Sequence, residues 1–128
     1  MNLNRRHLDE KGFAKSGKFD AVWLPSYDPD FQNYVYEMVS EYGWPKGPIT
    51  GVMLWNEPWE SHSISGWQAD IPRYREIFKA MGDGVFQARK DANIDVLIGG
   101  CDSTDNTIDK LFSDGSNDFL PYLSLIHI

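Results

Sequence analysis

The stretch GVMLWNEPWE, residues 51–60, places one carboxylate, Glu57, between the amide of Asn56 and a proline, at the point where an apolar run stops. A carboxyl group whose pKa is raised toward the working pH can donate a proton and later accept one, which a serine hydroxyl cannot do. The structural alternative is a glutamate that is favourably placed near the positive end of a helix. The elements around Glu57 decide between these two interpretations.

Tryptophans cluster around this carboxylate. Three of the five in the chain, Trp55, Trp59 and Trp67, fall within thirteen positions. Such a cluster suits a flat apolar ligand, because the indole ring offers a large apolar face. Tryptophan is also highly buried on average, so the alternative is that these side chains fill a core. Composition alone leaves both interpretations open.

Composition and charge exclude several classes of protein. A chain of 128 residues at 41% hydrophobic content holds one modest core, as one domain or a piece of one. The net charge of -7 argues against a nucleic-acid surface, which needs clustered Lys and Arg. No apolar run is long enough for a signal peptide or a membrane span. We therefore expect no nucleic-acid partner and no membrane partner.

Cysteine and histidine usage gives no sign of a metal or redox site. The single cysteine, Cys101, excludes a disulfide within the chain, and the three histidines are scattered without metal-ligand spacing. We expect no metal and no cofactor. Neither observation fixes a cellular compartment.

The first strong periodicity begins after residues 1–27, which carry no sustained pattern and stay unassigned. A helix is predicted over 29–42, because Asp28 is a good N-cap and Pro29 suits the first helical position. Gly43 then offers a left-handed stop. The predicted inward face repeats at intervals of three and four residues, as Phe31, Tyr34, Val35, Met38, Val39 and Tyr42.

The middle of the chain predicts a strand, a helix and a second strand. ITGVMLW, residues 49–55, is continuously apolar rather than alternating, as in a strand that is covered on both faces. A helix follows from a cap at Asp70 to about Asp91, and NIDVLIGG, residues 93–100, is a second short buried strand. TDNTIDKLF, residues 104–112, predicts a third helix.

The predicted helix after Asp70 has one inward stripe and a weak middle. Gly82 and Gly84 each weaken it by about 1 kcal/mol relative to alanine. The stripe consists of Ile71, Tyr74, Phe78, Met81, Val85 and Ala88.

A strand, a crossover helix and a parallel strand over 49–100 form the unit that builds doubly wound sheets and eight-stranded barrels. The chain has neither G-x-G-x-x-G nor G-x-x-x-x-G-K-[ST], the glycine-rich motifs that bind phosphate. Their absence argues against a nucleotide-binding sheet and favours the barrel. In such barrels the reactive side chains lie where strands end at the C-terminal face. Glu57, which follows the strand at 49–55, is therefore expected at the active end.

The residues around Glu57 resemble those of a known family. Trp55-Asn56-Glu57-Pro58 after an apolar strand resembles the fourth-strand signature of the clan A glycoside hydrolases, which are retaining glycosidases on TIM barrels. PDFQNYVYEMVSEYG resembles the third helix of that family, and YREIFKAMGDGVFQARKDANIDVLIGG resembles its fourth helix and fifth strand. The resemblance covers residues 28–112.

This resemblance implies an α/β fold class, a partial TIM (β/α)8 barrel. Because TIM barrels run to about 250 residues, the 128 residues make up about half of one. The implied organisation is an unassigned segment at 1–27 and a catalytic-domain fragment at 28–123. The ending YLSLIHI resembles sequencing-adapter read-through, so 124–128 is set apart as a non-native tail, with a native apolar terminus as the alternative.

The resemblance also implies roles for individual residues. Glu57 would be the general acid/base, which protonates the leaving glycosidic oxygen and later deprotonates the attacking water. Asn56 would donate a hydrogen bond to the sugar 2-hydroxyl, and Pro58 would fix the backbone of the turn. Trp59 and, with less weight, Trp67 could stack on sugar rings, the alternative being that they cover the rim of the barrel.

A retaining glycosidase needs a second carboxylate about 5–5.5 Å from the first. The resemblance places it on a seventh strand, beyond these 128 residues. We therefore expect the isolated piece to be inactive. Its parent is expected to act on β-linked plant or microbial saccharides, cleaving O-glycosidic bonds in oligo- or polysaccharides by double displacement. The alternative is a non-catalytic module that binds carbohydrate through an aromatic groove. A secreted or periplasmic location stays open for the full-length parent.

Overall fold

The computed structural model of the chain describes residues 22–55 and 71–100. Its elements are a 3₁₀ helix, Pro25–Tyr27, two α-helices, α1 (Asp28–Tyr42) and α2 (Ile71–Ala92), and two strands, β1 (Gly51–Val52) and β2 (Leu97–Ile98). The strands form a parallel pair, with Gly51 opposite Leu97 and Val52 opposite Ile98. Neither α1 nor α2 combines the length and the apolar character that a membrane-spanning helix needs.

Helix α1 confirms the predicted helix to within one residue at its start. Its inward face carries the buried side chains of Phe31, Val35 and Val39, spaced four residues apart. Tyr42 was predicted to point inward and does not, since about half of it is exposed at the last turn.

The end of α1 differs from the prediction in its backbone geometry. Gly43 has φ -69° and ψ 146°, which is extended rather than left-handed. Its amide still donates a hydrogen bond to the carbonyl of Val39 at 2.8 Å, which closes the helix. A Cβ added at Gly43 would lie 2.9 Å from Cγ2 of Val96 and would also collide with the Val39 carbonyl. Close packing, and not a positive φ, is therefore what requires glycine here.

Helix α2 confirms the second predicted helix and ends in a left-handed residue, Asn93, at φ 53°. Asparagine tolerates this conformation better than most residues, so Asn93 suits the C-terminal stop. Of Ile71 only the backbone is described. All the remaining members of the predicted stripe are buried. The buried apolar side chains of α2 are Tyr74, Ile77, Phe78, Ala80, Met81, Val85 and Ala88.

Gly84 lies where α2 crosses α1. A Cβ added at this position would come within 2.7 Å of the carbonyl oxygen of Gln32 and 3.2 Å of the amide nitrogen of Tyr36. The two helix backbones therefore approach each other closely because this residue has no side chain. The glycine that weakens α2 as an isolated helix permits its packing against α1.

A charged cluster fixes the start of α1 to the start of α2. The guanidinium of Arg73 donates to both carboxylate oxygens of Asp28 at 2.7 Å, and also to the carbonyl of Trp23 at 3.1 Å. Trp23 in turn donates its indole N–H to Asp28 at 2.9 Å, and Glu76 accepts from Arg73 at 2.8 Å. Burial alone would lower the pKa of Arg73, but the hydrogen bonds to Asp28 and Glu76 raise it above its ordinary value.

The strands are shorter and less covered than predicted. Along β1 and the residues after it, exposure alternates, since Met53 is 41% exposed whereas Leu54 is buried. In β2, Leu97 is 44% exposed and Ile98 is buried. The prediction that 49–55 is covered on both faces is therefore wrong, because one face of the sheet packs against the helices and the other faces outward.

The predicted fold class, half of a TIM (β/α)8 barrel, is contradicted by this architecture. The described residues form two α-helices and a two-stranded parallel sheet. The strand, helix, parallel strand order was predicted correctly, but that unit is common to many α/β folds, so it does not determine a barrel.

Other sequence predictions fall outside the described residues. These are the cap at Asp70, the third helix at 104–112 and the tail at 124–128.

Candidate functional site

The candidate site begins where the two parallel strands end. The amide of Leu97 donates to the carbonyl of Thr50 at 2.9 Å, and the amide of Gly99 donates to the carbonyl of Val52 at 2.8 Å. Because the strands run parallel and in register, their C-terminal ends lie at the same edge of the sheet. In open α/β sheets this edge is the usual place for ligand binding.

Beyond this ladder, a side chain of α2 binds the backbone of the strand end. The hydroxyl of Tyr74 donates to the carbonyl oxygen of Leu54 at 3.0 Å, and both residues are buried. The Tyr74 ring packs beside Phe78, with the ring centroids 6.1 Å apart. A buried carbonyl without a partner is costly, so this hydrogen bond stabilises the chain just after β1.

The next residue, Trp55, adopts an unusual backbone conformation. Its φ is 64°, in the left-handed region that bulky residues rarely occupy. Such conformations cost on the order of 1–3 kcal/mol and persist only where the surroundings determine them. Trp55 is half-buried and packs against the core. The backbone is therefore strained at Trp55, three residues after the end of β1 and immediately before Asn56 in the sequence.

The predicted site residues themselves lie outside the described residues. This holds for the predicted catalytic residue Glu57, for the predicted substrate-binding residues Asn56 and Trp59, and for Pro58 and Trp67. Their assignment stays a prediction from the sequence. What the structure describes is the support that precedes them, which consists of β1, the hydrogen-bonded Leu54 carbonyl and the left-handed Trp55.

Sequence reasoning missed two features of this support. Tyr74 was assigned to the inward stripe only as an apolar residue, although a buried tyrosine usually finds a partner for its hydroxyl. That rule was the available signal for its role. The positive φ of Trp55 has no signal in the sequence, because glycine or asparagine, and not tryptophan, normally indicates this conformation.

A metal site does not arise within the described part of the chain. Among the His, Cys, Asp and Glu side chains of residues 22–55 and 71–100, no group of three is placed to hold a metal ion.

Comparison with known proteins leaves the site to be interpreted from its own residues. No family model, curated protein or solved structure matches this chain.

Proposed function

We propose that this chain is the part of a retaining glycoside hydrolase that carries the acid/base carboxylate, Glu57. The parent enzyme hydrolyses O-glycosidic bonds in oligo- or polysaccharides by double displacement. The observation that carries the proposal is the anchored strand end, at which Tyr74 holds the Leu54 carbonyl two residues before Asn56-Glu57. The proposal depends on this support of the strand end and does not depend on a barrel fold.

In this mechanism one carboxyl group acts first as an acid and then as a base. In the first step Glu57 protonates the departing glycosidic oxygen while the nucleophile forms a glycosyl-enzyme. In the second step the same carboxylate removes a proton from water, which attacks the anomeric carbon and releases the sugar. Asn56 donates a hydrogen bond to the sugar 2-hydroxyl, an interaction that strengthens in the transition state. Trp59 stacks on a sugar ring.

The local architecture supports this assignment through its rigidity. Catalytic groups must be held within about 0.5 Å of their productive positions, which rigid elements do better than loops. Leu54 is buried and hydrogen-bonded, and Trp55 has a strained, left-handed φ. Strain of this kind is concentrated at functional sites.

In this proposal the second carboxylate, the nucleophile, is the one that the resemblance places outside these 128 residues. The isolated chain is accordingly expected to hydrolyse no aryl β-glycoside. Assays of the proposed activity therefore use the complete enzyme that carries this chain.

The test is the dependence of the rate on the leaving group. In Glu57→Ala, aryl β-glycosides with poor leaving groups should slow by about 10²- to 10⁴-fold, because the departing oxygen is no longer protonated. Formation of the glycosyl-enzyme from substrates with activated leaving groups should stay near the wild-type rate. Glu60→Ala is the matched control, a nearby carboxylate with no assigned role, and it should leave this dependence unchanged.

An equal loss for every substrate in Glu57→Ala would contradict the proposal, because a nucleophile or a structural residue behaves in that way. Saccharide binding by a complete wild-type protein that shows no hydrolysis would contradict it as well. That result would support the non-catalytic carbohydrate-binding alternative.

A further inference from the structure

We propose that Tyr42 and Trp44 form a saccharide-binding surface at the edge of the sheet where the strands begin. These two side chains are called the aromatic surface. Glu57 is no part of it. The choice of a saccharide as the ligand rests in part on the proposed function, whereas the surface itself lies within the described residues.

The aromatic surface consists of two exposed rings on either side of one glycine. Trp44 is 53% exposed and Tyr42 is 49% exposed. Gly43, between them, is buried, and a Cβ added there would face Val96 and Ile94 at 2.9 and 3.1 Å. The Cα atoms of the two aromatic residues are at most about 7 Å apart, because even an extended chain advances by only about 3.5 Å per residue. One ligand chain can therefore contact both rings.

The backbone of the aromatic surface is fixed by hydrogen bonds on both sides. The amide of Ile49 donates to the carbonyl of Tyr42 at 2.9 Å, and the amide of Trp44 donates to the carbonyl of Ile49 at 2.8 Å. The carbonyl of Trp44 accepts from the amide of Asp95 at 2.6 Å. A backbone that is already ordered loses little conformational entropy when a ligand binds, which favours binding.

The same hydrogen bonds place the aromatic surface at the start of the sheet. Ile49 comes two residues before β1, and Asp95 comes two residues before β2. Because the strands are parallel, they begin at one edge of the sheet and end at the opposite edge. The candidate site follows the ends of the strands, so the aromatic surface is a separate site.

The charges beside the two rings favour an uncharged polar ligand. Glu41 and Asp95 are exposed carboxylates, one next to Tyr42 in the sequence and the other bonded to the backbone of Trp44. Nucleic-acid bases also stack on aromatic rings, but these carboxylates would repel the phosphates. The nearby cation, Lys46, donates to the carbonyl of Ser40 at 3.3 Å. A neutral saccharide offers apolar ring faces to the aromatic rings and hydroxyls to the carboxylates.

The test reads binding at Trp44 itself, by fluorine NMR of the complete protein labelled with fluorotryptophan. The signal of Trp44 is assigned by its loss in Trp44→Phe. The probes are hexasaccharides of β-linked glucose, xylose and mannose, with hexathymidylate as an anionic stacking ligand. Glu57→Ala is used as the background, so that the probes are not consumed by the proposed activity.

We expect the Trp44 signal to shift in a saturable manner with at least one hexasaccharide and not with hexathymidylate. Tyr42→Ala should weaken the Kd read at Trp44 by about 10-fold, because one of the two stacking rings is lost. The matched control is Met53→Ala, which removes an exposed aliphatic side chain from the outer face of the sheet. That variant should leave the Kd unchanged.

The absence of a shift with every hexasaccharide would overturn the inference, and so would an equal loss of affinity in Met53→Ala. A shift with hexathymidylate alone would replace the saccharide by a nucleic acid. A shift that depends only on protein concentration, with a dimer in sedimentation, would replace it by a second copy of the chain. Either result would also overturn the inference.

Failure of this inference is distinguishable from failure of the proposed function. Hydrolysis of a saccharide by the wild type, without a Trp44 shift in the Glu57→Ala background, would remove the aromatic surface alone. Saccharide binding at Trp44 in a protein that hydrolyses no saccharide would remove the proposed function alone.

Discussion

The helix pair and the sheet end are built in opposite ways. Helices α1 and α2 are in close contact at Gly84, buried along their facing sides and joined by the cluster of Arg73 and Asp28. The strands pair over only two residues each, and Met53 and Leu97 lie exposed on their outer face. The strand end also contains the strained residue of this region, Trp55.

Under the proposed function, this difference assigns stability to the helix pair and activity to the strand end. Strain of about 1–3 kcal/mol is tolerated only where the surrounding structure is firm enough to impose it. The packed helix pair is rigid in this way, and it is joined to the strand end by the hydrogen bond from the Tyr74 hydroxyl of α2 to the Leu54 carbonyl. Substitutions in the helix pair should therefore affect folding, whereas those at the strand end should affect activity.

The largest effect is expected from opening the core of the helix pair. Phe78→Ala removes a fully buried ring and should lower the free energy of unfolding by about 3–5 kcal/mol. Met53→Ala, on the exposed face of the sheet, should change it by less than about 1 kcal/mol. Denaturant unfolding of the two variants measures the contrast, and similar losses for both would remove the distinction between the two regions.

The next effect concerns the charged cluster. Asp28→Asn removes the negative charge that pairs with Arg73, whose side chain is only 10% exposed, and should cost about 2 kcal/mol. The control is Asp83→Asn, which removes the partner of Lys79, a side chain that is 62% exposed. That loss should be about 0.5 kcal/mol. Equal midpoint shifts in denaturant would show that the cluster does not hold the helices together.

Gly84→Ala tests the close approach of the helices by the sign of its effect. At an ordinary helix position this change stabilises by about 1 kcal/mol. Here the added methyl group lies 2.7 Å from the Gln32 carbonyl, so overpacking of about 1–3 kcal/mol should produce a net loss. Gly51→Ala, whose added Cβ finds no neighbour closer than 3.5 Å, should be nearly neutral. A higher melting temperature for Gly84→Ala would contradict the packing described.

The smallest expected effect is a change in the pKa of Tyr36, on the exposed side of the helix pair. The pKa of Tyr36 is raised above 10.0, chiefly by its hydrogen bond to the Asp91 carboxylate, with further contributions from burial and from the Asp91 charge. Because the pKa is raised in the folded state, the contribution to stability is present below pH 10 and is lost as the pH rises through the folded value. Asp91→Asn should lower the Tyr36 pKa in an NMR titration, and Asp83→Asn should leave it unchanged. No change with Asp91→Asn would mean that this hydrogen bond is absent in solution.

The same contrast separates what the sequence could predict from what it could not. Helices α1 and α2 were predicted closely, because a helical period and end signals such as Pro29 are local properties of the chain. The exposure of Met53 was not, because an apolar residue in a short run does not show whether a second layer covers it. The barrel prediction failed for the same reason, since it extended one strand, helix, strand unit to elements that the unit does not determine.

The candidate site divides in the same way. The Trp55-Asn56-Glu57-Pro58 motif is a local pattern, so the assignment of Glu57 could be made from the sequence and stays a prediction. The hydrogen bond between Tyr74 and Leu54 joins residues twenty positions apart and depends on how α2 packs on the sheet. No pattern in the sequence specifies that alignment, although a tyrosine at a buried helical position indicates that its hydroxyl needs a partner.

The most direct test of the central claim is azide rescue of Glu57→Ala in the complete enzyme, with a substrate whose leaving group needs no proton. The glycosyl-enzyme should form and then accumulate, because no base activates water. Azide, which needs no deprotonation, should restore turnover and give the β-glycosyl azide. Production of the α-glycosyl azide, or no rescue at all, would contradict the assignment of Glu57 as the acid/base of a retaining glycosidase.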